Sequence, residues 1–138
     1  GTVRLIALCA LGSIAGAGAH YIFNTGSPVP MVGASAIVSA CTGAAIRFAF
    51  QPGQQLTAGY AFGPLMSLPE TFRNQQTFSL IAIWMVLNYI SGSSLVDLTG
   101  EGHSIAWQAH IGGFVAGIIA FPVFDPYRRD RFDRRGFE

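Results

Sequence analysis

Three long stretches of this chain contain no Asp, Glu, Lys or Arg: those between Arg4 and Arg47, between Arg73 and Asp97, and between Glu101 and Asp125. No other property of the sequence limits the fold as strongly. A soluble domain carries roughly a quarter of its residues as charges, and its surface helices keep one polar face. Here the charged fraction is 11% against 51% hydrophobic. Charge-free apolar segments of this length suit lipid, where the backbone must satisfy its own hydrogen bonds and the helix is the simplest way to do so. The expected fold class is all-α, a polytopic helical membrane protein.

A helix crosses the hydrocarbon core with about 20 residues. Gly26, Pro28 and Pro30 break the first charge-free stretch, because neither residue type sustains a helix well. That division gives spans at about 5–22 and 33–50. Residues 51–76 hold Pro52, Pro64, Pro69, two Gln pairs, Glu70 and Arg73, and read as a long loop with room for a helical turn at the interface. A third span follows at about 77–90 and a fourth at about 104–124, with Pro122 near its end. The expected organisation is a membrane domain over residues 1–126 and an Arg-rich tail over 127–138.

The arginines orient these spans. Four crossings put both termini on one side, and Arg4, Arg47, Arg73 and the five tail arginines then share that side. The opposite loops, 23–32 and 91–103, hold only Asp97 and Glu101 as charges. Basic residues collect on the cytoplasmic face, so both ends of the chain are expected in the cytoplasm. A net charge of +1 argues against nucleic acid as a partner. Cys9 and Cys41 lie in apolar segments without a C-x-x-C spacing and read as buried thiols. The chain starts at Gly1, with no initiator Met and no signal-peptide pattern.

Two short motifs lie in the charge-free segments: Gly33-Ala34-Ser35-Ala36, and Ala109-His110 followed by Gly113 and Gly117. An ionisable group inside a membrane segment is expensive and usually functional. Counted from the outer ends of their spans at 1.5 Å per residue, Ser35 lies roughly 3 Å deep and His110 roughly 10 Å. Those depths are compatible. Gly113 and Gly117 follow His110 by three and seven residues, and Gly33, Ala36, Ala40, Gly43 and Ala44 line the second span. Small residues let membrane helices approach closely, which brings a serine hydroxyl and an imidazole within reach of each other. The plainer reading is that the glycines mark ordinary packing and that Ser35 bonds back to its own helix.

These residues resemble the rhomboid family of intramembrane serine proteases, whose pattern is G-x-S-x at the start of one helix and A-H-x-x-G-x-x-x-G on the last. Pro28-Val29-Pro30-Met31-Val32 resembles the bacterial branch, and the likeness covers nearly the whole chain. The resemblance implies Ser35 as nucleophile, His110 as general base, and backbone N–H groups of Ala34 and Ser35 in the oxyanion hole. It implies transmembrane proteins as substrates, a bacterial inner-membrane location, and neither metal nor cofactor. The family core has six helices, and this chain corresponds to the last four, so its beginning is expected to be missing.

Three departures from the family pattern stand out. Ala36 follows the serine where many members have Gly. Ser39 replaces an aromatic that often stacks on the histidine. The H-x-x-x-N motif of the family lies a whole helix before the nucleophile, whereas His20-Tyr21-Ile22-Phe23-Asn24 ends the span just before Ser35. We read it as an interfacial histidine followed by a turn asparagine. No acid adjoins His110, which leaves Asp97 and Glu101 as the only acids able to orient it, and the resemblance implies a dyad that works without one. Two functions remain open: a protease, or a silent relative that binds membrane helices. A small transporter is weaker, because the spans hold no carboxylate.

Overall fold

The computed structural model describes residues 1–26, 34–49, 65–92 and 106–125. Among these every regular element is a helix: α1 (Thr2–Phe23), α2 (Ser35–Ala49), α3 (Leu68–Arg73), α4 (Gln75–Gly92) and α5 (Trp107–Phe124). Four of the five lie within or overlap the stretches read as spans. By length and composition α1 and α5 are long and apolar enough to cross a membrane, and α2 is a shorter apolar helix. α4 has 18 residues but opens on Gln75-Gln76 and carries Asn88.

Two helix starts depart from the hydropathy limits because side-chain caps set them. Ser67 and Glu70 form a reciprocal capping box that starts α3 inside the stretch read as loop. Asn74 Oδ1 then accepts from the Thr77 amide at 3.0 Å and from its hydroxyl at 3.2 Å. It satisfies a free first-turn donor, so α4 begins two residues before Thr77. At the other end of α1, Asn24 is the C-cap, its amide bonded to the His20 carbonyl at 2.9 Å.

Small residues face inward and large apolar ones outward. Leu8, Gly12 and Gly16 are the buried residues of α1, while Val3, Ile14, Ile22 and Phe23 are exposed. On α5, Gly113 and Gly117 are buried beside Phe114 and Ile118, and Ile119 and Val123 point out. A water-soluble core is built the other way round. The pattern belongs to helices that meet through close backbone contact and show their bulk to lipid.

That contact is concrete at a three-helix junction. A Cβ on Gly16 would lie 2.5 Å from the Ala36 Cβ and 2.8 Å from the Ala109 carbonyl oxygen. One on Gly113 would run into the Ala36 carbonyl, and one on Gly117 into that of Ala40. α5 therefore packs most extensively on α2 and α1, and more lightly on α4.

Arg47 ties the other end of the bundle. Pro122 has no N–H, so the Ile118 carbonyl loses its partner four residues on. Arg47 Nη1 donates to that carbonyl at 2.7 Å, and its Nη2 donates to the Met66 carbonyl at 3.0 Å. The side chain is 4% exposed, so one of the arginines used to orient the chain is an internal brace. Arg4 Nη1 similarly donates to the Asp125 carbonyl at 2.8 Å, where α5 ends.

Candidate functional site

Ser35 is the first residue of α2 and is exposed. The first rungs of the α2 ladder are the Ile37 and Val38 amides, both bonded to the Ala34 carbonyl at 3.0 and 3.1 Å. The amides of Ala34, Ser35 and Ala36 lie ahead of that ladder, as the first donors of any helix do. Ser39 Oγ donates to the Ser35 carbonyl at 2.8 Å. Gly33 lies outside the described residues.

His110 sits in the first turn of α5 and is half-buried. α2 and α5 run parallel, with Gly113 against Ala36 and Gly117 against Ala40. In that register Ser35 is level with Gly112 and His110 is two residues nearer the start of α5, a difference of about 3 Å along the axes. Ala36 and Ala109, the neighbours of the two site residues, both touch Gly16 of α1. Three small residues thus bring the starts of α2 and α5 together. Among the described residues no hydrogen bond joins Ser35 to His110.

The imidazole has a partner that the sequence reading does not single out. His110 Nδ1 lies 2.7 Å from Asn88 Oδ1 on α4. Asn88 Nδ2 donates to the Trp84 carbonyl at 2.8 Å, which fixes the orientation of the amide: its oxygen must face the ring. Nδ1 therefore carries the proton, and Nε2 is left as the acceptor. Asp97 and Glu101, the acids expected to be available for this role, lie outside the described residues. The signal for Asn88 was its setting, a lone amide in a charge-free segment, where buried polar groups need partners.

α4 and α5 meet antiparallel, with contacts on three successive turns. Gly92 adjoins Trp107, with no room for a Cβ between them. Asn88 meets His110. Trp84 stacks on Phe114 with ring centroids 4.0 Å apart and planes 13° from parallel. Each step is one helical turn on both helices, so the aromatic stack and the glycine contact set the register in which Asn88 reaches the imidazole.

The second histidine of the described residues is occupied elsewhere. His20 Nδ1 lies 3.3 Å from Asn24 Nδ2, which also donates to the His20 carbonyl at 3.1 Å. This is a local helix-end arrangement. Among the described residues no group of three or more His, Cys, Asp or Glu is placed to hold a metal ion.

Comparison with known families matches the chain to a Rhomboid domain over residues 1–125. Comparison with curated proteins and with solved structures returns no match.

Proposed function

The chain belongs to the rhomboid family, and from that membership we propose that it is an intramembrane serine endopeptidase. The observation that carries the proposal is the pairing at the α2–α5 contact. The one serine at the start of α2 and the one histidine of α5 lie at nearly the same level on helices in backbone contact. In this reading Ser35 Oγ attacks a peptide carbonyl while His110 Nε2 takes its proton. The imidazolium then returns that proton to the leaving amine, and water repeats the sequence on the acyl-enzyme. The Ala34 and Ser35 amides donate to the oxyanion, the kind of contact worth about 3–4 kcal/mol per donor.

The substrate is a transmembrane helix cut near its outer end. All four long helices cross the bilayer, a bacterial inner membrane, with residues 1–126 as the membrane domain. Both ends of the chain, including the Arg-rich tail 127–138, face the cytoplasm. Reaction with an alkyl fluorophosphonate in detergent micelles tests the activity. Labelling should map to Ser35, vanish in Ser35→Ala and fall to background in His110→Ala. Labelling that survives His110→Ala would refute the dyad.

A silent, helix-binding relative is the second reading. It draws on the absence of a Ser35–His110 hydrogen bond among the described residues and on Ser39, which bonds its own helix where the family often has an aromatic. Catalytic hydrogen bonds are often long before substrate binds, and chemistry rather than resting geometry separates the two. The probe reads that chemistry: a folded protein with no labelling at Ser35 establishes the silent form.

A further inference from the structure

We propose that Asn88 is the positioning residue for His110, holding the imidazole as the Nδ1–H tautomer with Nε2 free to act as base. The inference rests on the dyad reading for its catalytic meaning, but its structural content stands on two hydrogen bonds. Asn88 Oδ1 accepts from His110 Nδ1 at 2.7 Å, and Nδ2 is anchored on the Trp84 carbonyl at 2.8 Å. Both hands of the amide are therefore used, and neither can be exchanged without setting two donors or two acceptors face to face.

The chemistry needs such a group. A neutral imidazole has two tautomers, and only the one protonated on Nδ1 presents a lone pair at Nε2. In a serine protease with a triad, a carboxylate makes that choice and stabilises the imidazolium. Inside a membrane a carboxylate is costly to ionise, whereas an amide selects the same tautomer with a dipole alone. When His110 gains a proton at Nε2, the Nδ1–H···Oδ1 bond becomes charge-assisted and strengthens. Asn88 thus holds the ring at rest and favours the imidazolium as it forms.

The ladder on which Asn88 sits gives the positioning its geometry. Trp84 lies one turn from Asn88 on α4, and Phe114 one turn from His110 on α5. Their stack and the Gly92–Trp107 contact bracket the polar pair on both sides. Ser39 on α2 turns its hydroxyl to the Ser35 carbonyl of its own helix, and the restraint on the ring comes from Asn88 on α4.

The test compares wild type with Asn88→Leu and Asn88→Asp in the full chain, solubilised in micelles. Leucine is at home in a membrane helix, and aspartate keeps the acceptor. The first readout needs no activity: side-chain 15N shifts of His110 at alkaline pH, assigned by their loss in His110→Gln. Wild type and Asn88→Asp should show the Nδ1–H tautomer and Asn88→Leu a mixture. The second readout is the kinetics of fluorophosphonate inactivation. Asn88→Leu should lower the limiting inactivation rate about 10–100-fold, by analogy with the loss on removing a group that orients a metal-ligating histidine, with the half-saturating probe concentration unchanged. An unchanged tautomer and rate in Asn88→Leu would overturn the proposal. So would a loss confined to half-saturation, which would mark a merely structural residue. If wild type is not labelled at Ser35, the dyad fails and the tautomer alone decides the role of Asn88.

Discussion

A close backbone contact beside the candidate site offers a measurement that separates stability from alignment. Of the glycines at which α5 meets the α2 backbone, Gly113 lies nearest to Ser35 and His110. A Cβ there would lie 3.0 Å from the Ala36 carbonyl carbon and 3.3 Å from its Cα, closer still to the carbonyl oxygen, where ordinary contact begins at 3.4 Å. Backbone cannot swing aside as a side chain can, so Gly113→Ala must push the helices apart, by about 1 Å. Overpacking of this kind costs about 1–3 kcal/mol. Replacing a helical glycine by alanine returns about 1 kcal/mol of propensity. The net loss of stability is thus about 0–2 kcal/mol.

Alignment responds more steeply. Ser35 precedes Ala36, and His110 lies three residues before Gly113, so the displacement falls on the proposed dyad itself. A 1 Å misplacement of reacting groups lowers a rate about 100-fold, equivalent to about 2.7 kcal/mol. Gly18→Ala is the control, because a Cβ at Gly18 meets nothing within 4 Å; it should gain up to about 1 kcal/mol and label normally. Thermal unfolding in detergent and the rate of fluorophosphonate labelling are the two assays. Gly113→Ala should melt slightly lower and label about 100-fold more slowly. Labelling of folded Gly113→Ala at the wild-type rate would refute the reasoning, as would equal melting shifts for the two alanines.

Two further outcomes follow from polar contacts away from the dyad. Arg47→Met should lower stability by about 1–3 kcal/mol by leaving the Ile118 and Met66 carbonyls unpaired; adding Pro122→Ala restores an N–H for Ile118, and a double-mutant cycle by unfolding should show a loss smaller than the sum, whereas strict additivity would remove the link. The Glu70 carboxyl is held below its usual range by the backbone N–H and hydroxyl of Ser67, so its contribution to the α3 cap is present above the unfolded-state value and lost as pH falls through the lowered folded-state one. A carboxyl-carbon NMR titration should place Glu70 below free glutamate and move it up in Ser67→Ala; an unmoved midpoint would contradict the capping account.

Much of the fold is legible in the sequence because the strongest signal, exclusion of charge, acts over whole helices. The four long helices fall where the charge-free stretches put them. The start of α4 does not, since hydropathy registers the first apolar residue and the chain obeys the cap: Asn74 starts α4 ahead of Thr77. α3 is legible only through Ser67-x-x-Glu70, a four-residue pattern inside a polar stretch. Gly12 and Gly16 repeat on α1 the small-residue spacing that is more conspicuous on α5, and they are what lets α1 join the junction. Which residues face each other across helices is not written locally. Asn88 and His110 are 22 residues apart, and only the docking of Trp84 on Phe114 makes them neighbours.

The polar groups of this bundle share one solution to a common problem. Among the described contacts, the buried guanidinium of Arg47 is held by backbone carbonyls, with no carboxylate bonded to it. The imidazole is held by an amide, and the Ser39 hydroxyl by a carbonyl of its own helix. In a medium of low dielectric an ion pair must recover two desolvation penalties, and losing either partner strands a charge. A carbonyl or amide dipole adds no second ion to desolvate. The Ile118 carbonyl is a special case, because Pro122 had already removed its partner: the brace satisfies a donor and an orphaned acceptor in one bond. By the same reasoning an aspartate at position 88 is the harder choice. It would strengthen the imidazolium yet require a buried carboxylate whenever His110 is neutral, the resting state of the base in the proposed dyad. An amide supports both protonation states of the ring, so asparagine suits the role proposed for His110.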